Sequence, residues 1–89
     1  MSAHYVYLAS ASDGSFYCGY AVDPKARIAT HNRGKGSKIL RGKRPVQLSY
    51  LRRFMTRIAA LRYERALKRH THAYKTLLSA RWLAGKGIV

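Results

Sequence analysis

Two short stretches near the start of the chain are dense in aromatic and branched residues: Tyr5-Val6-Tyr7-Leu8-Ala9 and Phe16-Tyr17-Cys18-Gly19-Tyr20. Such residues suit a pleated, half-buried strand. The residues between them, Ser10-Ala11-Ser12-Asp13-Gly14-Ser15, are turn formers, so the pair predicts a β-hairpin. Two registers are open. A two-residue turn at Asp13-Gly14 puts Tyr7 and Tyr17 on opposite faces. A three-residue loop at Ser12-Asp13-Gly14, with Gly14 left-handed, sets Ala9 opposite Tyr17 and Leu8 opposite Cys18. Tyr5, Tyr7, Tyr17 and Gly19 then share one face, and Val6, Leu8, Phe16, Cys18 and Tyr20 the other. The cleaner amphipathic split favours the three-residue loop. In that register Cys18 is a small core residue, not a nucleophile.

Asp23-Pro24 predicts a helix start, with aspartate as cap and proline at the first position. The helix should run to about Asn32, stopped by Gly34 and Gly36. A basic, Gly-rich stretch follows over residues 33–44, with a short helical turn expected around residues 37–41. Pro45 ends it. Residues 46–51 predict a third strand reaching about Phe54. Thr56 caps a helix from Arg57 to about Arg69, and Thr71 caps another from His72 to about Leu83. The tail, residues 84–89, is expected to fray. The order β-β-α-β-α-α gives an α+β domain, a small antiparallel sheet with helices packed on it. One domain is expected over residues 1–89, with its core at about 4–83.

Charge changes the picture. The 89 residues carry 18 Lys+Arg against 3 Asp+Glu, a formal net charge of +15. Such an excess opposes compaction and is best tolerated opposite a polyanion, where counterion release drives binding. Six of the cations lie within residues 33–44: Arg33, Lys35, Lys38, Arg41, Lys43 and Arg44. The single cysteine excludes an intrachain disulfide and a thiolate zinc site. Nothing in the sequence reads as a signal peptide or a membrane span, so a cytoplasmic setting is expected.

With three acids in the chain, each can be weighed. Asp13 forms a turn and Asp23 caps a helix. Glu64 lies mid-helix on the stripe Ala60, Leu61, Leu67, the expected core-facing side. A carboxylate there must pair or bind a metal. One reading is an i,i+4 salt bridge with Lys68, or plain helix surface. The other is a Mg²⁺ site, because Mg²⁺ keeps several waters and needs one or two carboxylates. Arg27 and His31, four residues apart, share a helix face. They read either as a solvated face or as a phosphate fork beside a proton-handling imidazole. Seven tyrosines beside two phenylalanines suggest that some hydroxyls are used, Tyr7 and Tyr17 first among them.

Tyr5-Val6-Tyr7, Tyr17-Cys18-Gly19, Arg27-x-x-x-His31, the Gly34-Lys35-Gly36 segment and Ala60-Leu61-Arg62-Tyr63-Glu64 resemble, in that order, the GIY-YIG nuclease superfamily. The likeness covers nearly the whole chain and is nearest to the small stand-alone bacterial members. The nuclease domain of the bacterial excision-repair incision protein is a more distant relative. The first motif begins with tyrosine in place of glycine, and the second has cysteine in place of isoleucine. Both are scaffold positions. An asparagine found near the C-terminus of some members has no clear counterpart.

The resemblance implies a three-stranded antiparallel sheet flanked by helices, with Tyr7, Tyr17, Arg27, His31 and Glu64 as the catalytic set. It implies one Mg²⁺ or Mn²⁺ on Glu64 and hydrolysis of DNA phosphodiesters, structure-selective more than sequence-selective, in a DNA-repair type of role. Tyr7 is the favoured base, with Tyr17 supporting. Arg33, Lys35, Lys38, Arg41, Lys43, Arg44 and Lys68 are expected to contact DNA. A targeting domain or protein partner is left open. Two rivals stand: a non-catalytic nucleic-acid-binding module, and a basic assembly protein that only composition supports.

Overall fold

The computed structural model describes residues 3–36 and 42–86. Its elements follow the order β1 (His4–Ser10), β2 (Phe16–Ala21), α1 (Pro24–Asn32), β3 (Gln47–Phe54), α2 (Arg57–Lys68) and α3 (His72–Lys86). The helical turn expected at residues 37–41 lies outside the described residues. The expected fraying of the tail is corrected at residues 84–86, which continue α3.

The three strands form an antiparallel sheet in the order β2-β1-β3. The hairpin takes the three-residue loop. Ala9 faces Tyr17 and Leu8 faces Cys18, and Gly14 has a φ of +87°. Asp13 locks the loop by accepting from the Ser15 amide at 3.0 Å and from its hydroxyl at 2.6 Å. These bonds, with Lys43 nearby, hold its carboxyl below its ordinary pKa.

On β3, Leu8 pairs with Tyr50 but Ala9 pairs with Leu48, so Ser49 is an extra residue in the ladder. The bulge rotates the strand. Leu48 and Leu51 therefore share one face while Tyr50 faces the other. Ser49 is buried, and its hydroxyl donates to the Leu8 carbonyl at 3.2 Å.

Each face of the sheet carries its own core. Val6, Leu8 and Cys18 pack with Ala60 and Leu67 of α2 and with Leu78 of α3. Tyr7, Ala9 and Ala21 pack with Val46 and Ile28 of α1. Side-chain caps start the helices as expected. Asp23 accepts from the Ala26 amide at 3.2 Å, Thr56 from Ala59 at 3.1 Å, and Thr71 from Tyr74 at 3.1 Å. At the end of α1, Gly34 (φ +79°) donates to His31 and Lys35 donates to Thr30, a Schellman closure.

The stripe expected on α2 needs one correction. Ala60 and Leu67 are buried, but Leu61 is 37% exposed. At about 100° per residue, Leu61 lies about 120° round the helix from Leu67, whereas Ala60 lies about 20° away. Tyr63 takes the place Leu61 was expected to fill.

Leu67→Ala should therefore cost about 2–5 kcal/mol of stability. Ile58→Ala, at a side chain 65% exposed, should cost about 0.5 kcal/mol or less. Urea denaturation of the two variants beside the parent reads both values.

Candidate active site

Tyr7 lies in the central strand and is wholly buried. Its register partner on the edge strand is Gly19. A Cβ at Gly19 would stand 2.5 Å from both Cζ and the hydroxyl of Tyr7. The absence of a side chain there is what lets the phenol cross β2 and reach the sheet edge.

The Tyr7 hydroxyl lies 3.2 Å from Nε2 of His31 on α1. Tyr17 joins them: its ring centroid is 6.3 Å from that of Tyr7, and it meets the His31 ring edge-on at 5.4 Å. His31 is buried. Gly36 packs so closely on its Nδ1 that a Cβ at that position would overlap the ring. Arg27 is exposed one turn earlier on α1, and its charge acts on both Tyr7 and His31.

Burial pushes the Tyr7 phenol far above its usual pKa. Tyr17 adds to this, and Arg27 opposes it. Burial, then Arg27, holds the His31 imidazole below its ordinary pKa of 6.5. Both partners of this hydrogen bond are thus kept neutral near pH 7. Which of them donates depends on the imidazole tautomer.

Glu64 approaches β2 from the opposite face. Its backbone carbonyl accepts from the Cys18 thiol at 3.8 Å, which ties α2 to the strand. Its charge is felt at Cys18 and at the Tyr7 hydroxyl. The Glu64 side chain is 17% exposed, and its carboxylate pairs with Lys68 Nζ at 3.6 Å. The i,i+4 ion pair is therefore present. Glu64 opens on a groove of about 470 Å³ shared with Leu61, Arg65, Lys68 and Arg69. Cys18 is buried, with its thiol pushed up to about 11 by burial and by Glu64. It stays protonated and serves as core.

The basic segment is less uniform than its composition suggests. Lys35 is exposed. Arg33 is also exposed, and its guanidinium donates to the Thr30 hydroxyl at 3.3 Å. Arg44 packs its guanidinium over Gly34. Lys43 is engaged in structure: its ammonium lies 3.5 Å from Asp13 and 3.3 Å from the Ser15 hydroxyl. Its carbonyl accepts from the Ser12 amide and hydroxyl at 3.0 and 2.9 Å. Lys38 and Arg41 lie outside the described residues.

Sequence reasoning missed Asn32. Its amide accepts from the Val46 N–H at 2.7 Å and donates to the Val46 carbonyl at 3.0 Å, clasping the two ends of the basic segment together. It also missed Arg62, Arg65 and Arg69, whose spacing on the outward face of α2 was a legible signal. Among the described residues no three His, Cys, Asp or Glu side chains gather as a metal site. No described helix is long and apolar enough to cross a membrane.

Residues 3–77 match the family model of the GIY-YIG catalytic domain. The chain belongs to the GIY-YIG family. A UPF0213 protein of Staphylococcus aureus (strain Mu3) is 44% identical over 78 residues, spanning 88% of this chain and 95% of that protein. The solution NMR structure of the UPF0213 protein BH0048 from Bacillus halodurans is 37% identical. It covers 88% of this chain and 83% of its own, with a TM-score of 0.56. That of protein EF2693 from E. faecalis is 35% identical, covering 100% and 91%, with a TM-score of 0.59. The tyrosine motifs of the GIY-YIG name fall here on the paired strands β1 and β2.

The neutral state of His31 has a consequence for stability. Below about pH 6.5 the unfolded imidazole takes up a proton that the folded one resists, so the unfolded state binds more protons and stability falls. Above that pH the group is neutral in both states and adds no slope. Urea midpoints should drop between about pH 7.5 and 5.5. The drop should be smaller in His31→Gln.

Proposed function

We propose that this protein is a metal-dependent endonuclease that hydrolyses DNA phosphodiesters and selects its substrate by shape more than by sequence. The observation that carries the reading is the meeting at β2 of Tyr7, Tyr17 and His31 with the charges of Arg27 and Glu64. Membership of a family described by its catalytic domain supports it, as does a net charge of +15. A cationic surface favours a phosphate backbone.

The donor set fits a hard cation that keeps its own water. Glu64 is a lone, partly exposed carboxylate on an open groove. This suits Mg²⁺ or Mn²⁺ with phosphate oxygens completing the shell, and does not suit zinc. When bound, such an ion supplies Lewis-acid polarisation of the phosphate and charge neutralisation at the leaving oxygen. Glu64 would hold such an ion, and Lys68, now paired with Glu64, would then be available to a substrate phosphate.

Arg27 offers its guanidinium to the phosphoryl oxygens, where charge builds in the transition state. The proton from the attacking water goes to Tyr17 in its phenolate form, the phenol's own proton having left to bulk solvent beforehand and the Arg27 charge favouring the anion. This reverses the sequence-based preference for Tyr7, because burial holds the Tyr7 proton too firmly for it to act as a base. Tyr7 instead orients the site through its bond to neutral His31. Arg33 and Lys35, with Lys38 and Arg41, contact the DNA backbone.

A non-catalytic nucleic-acid-binding module is the second reading. The Glu64–Lys68 pair favours it, since it gives the carboxylate a partner without any metal.

Cleavage of linear, nicked, flapped and four-way DNA with Mg²⁺ or Mn²⁺ separates the two. The nuclease reading expects Glu64→Gln to abolish cleavage and keep binding, and Arg27→Ala to slow it about 10²-fold. No metal-dependent cleavage by the wild type on any of these substrates would leave the binding module standing. Tyr17→Phe should lower the rate more than Tyr7→Phe, read as single-turnover kinetics on the best substrate.

A further inference from the structure

The outward face of α2 is built as a surface in its own right. By helix geometry Ile58, Arg62, Arg65 and Arg69 point away from the Ala60–Leu67 stripe that packs on the sheet, and Leu61 and Lys68 flank them on one side. Ile58 lies about 180° round the helix from Leu67. Met55, just before the helix, is 76% exposed, Ile58 is 65% exposed and Leu61 37%. Exposed aliphatic residues scattered singly need no explanation. Ile58 and Leu61 line one hollow together, and Arg62 and Arg65 border them.

Two adjoining hollows run along this face. One, of about 280 Å³, is lined by Ile58, Leu61, Arg62 and Arg65. The next, of about 470 Å³, shares Leu61 and Arg65 and is also lined by Glu64, Lys68 and Arg69. The groove thus joins aliphatic side chains and cations to the carboxylate of the candidate active site.

We propose that this groove holds unpaired nucleotides of the nucleic-acid substrate, with base faces on Ile58 and Leu61 and phosphates on Arg62 and Arg65. The placement rests on the reading of Glu64 as part of a nucleic-acid site.

Charge complementarity selects the occupant. A second copy of a chain with net charge +15 would set cation against cation. A strand of nucleic acid offers the two chemistries the groove alternates: a phosphate at each step and an apolar base face between. In duplex DNA the base faces are stacked away, and only the phosphates remain for the arginines. The aliphatic side chains therefore confer selectivity for unpaired or branched nucleic acid. The arginines confer affinity for either form.

The test is binding without metal. In EDTA, fluorescence anisotropy follows a labelled single strand of about 20 nucleotides, a 5′-flapped duplex and a blunt duplex. The proteins are the wild type, Ile58→Ser/Leu61→Ser and Arg62→Gln/Arg65→Gln, each checked for wild-type circular dichroism. The aliphatic variant should lose about tenfold in affinity for the single strand and the flap, and less than about twofold for the blunt duplex. The arginine variant should lose affinity for all three and flatten the salt dependence.

Equal loss of affinity for all three by the aliphatic variant, or none, overturns the proposal. So does displacement of the single strand by anionic vesicles or polyglutamate as efficiently, per charge, as by unlabelled strand. Because no metal is present, a wild type that fails to cleave would sink the nuclease reading and leave this binding result intact.

Discussion

Tyr7 can reach the edge of the sheet only because its partner across the hairpin has no side chain. Gly19 and the Tyr7 ring occupy the space that a Cβ would need. That pairing follows from the loop: a residue more or less at Ser12-Asp13-Gly14 would turn Tyr7 and Tyr17 to opposite faces. The left-handed Gly14 and the Asp13–Ser15 bonds hold the loop at three residues. Tyr17 and His31 come to the same place because the register and α1 bring them there. The electrostatic character of the site depends on this burial too. It raises the phenol and lowers the imidazole, leaving a neutral hydrogen-bonded pair beside a cationic side chain.

A sheet with a separate core on each face could have divided the candidate residues between two surfaces. Because β2 is an edge strand, residues on both faces come near it, and the Glu64 charge still acts on the Tyr7 hydroxyl. The phenols and the α1 side chains approach it from one face. Glu64 approaches from the other, on a helix tied to Cys18. The bulge at Ser49 serves the same division by placing Leu48 and Leu51 under α1 and Tyr50 under α2. The basic segment is fastened as well. Asn32 clasps its two ends, and Lys43 is joined to the hairpin loop.

All three acids of this cationic chain are engaged in local interactions. Asp13 faces Lys43, Asp23 caps α1, and Glu64 faces Lys68. Two of these serve the scaffold, at a turn and a helix start, where a carboxylate meets backbone or hydroxyl donors. Glu64 differs in lying mid-helix on an open groove among arginines and lysines. Cations on several sides of one carboxylate form the field in which a phosphodiester, or a metal with its phosphate ligands, would be drawn in.

Local chemistry made the element order legible. Asp23-Pro24, Thr56 and Thr71 mark helix starts through hydrogen bonds within a few residues, and Gly34 marks a stop through its own dihedral freedom. The hairpin register was readable because only one choice of loop separates the apolar face from the tyrosine face. Other features depended on distant contacts. Leu61 resembled core because three- and four-residue spacings around Glu64 fit more than one stripe, and only packing against the sheet chose Ala60, Tyr63 and Leu67. The clasp from Asn32 to Val46 spans fourteen residues with no local sign. The sequence by itself determined the order of the elements and supplied the side chains proposed for the site. Tertiary structure decided which phenol is buried, which cations are already engaged, and that Glu64 reaches the edge strand from the far face. Burial and through-space fields belong to the folded arrangement, not to any window of the chain.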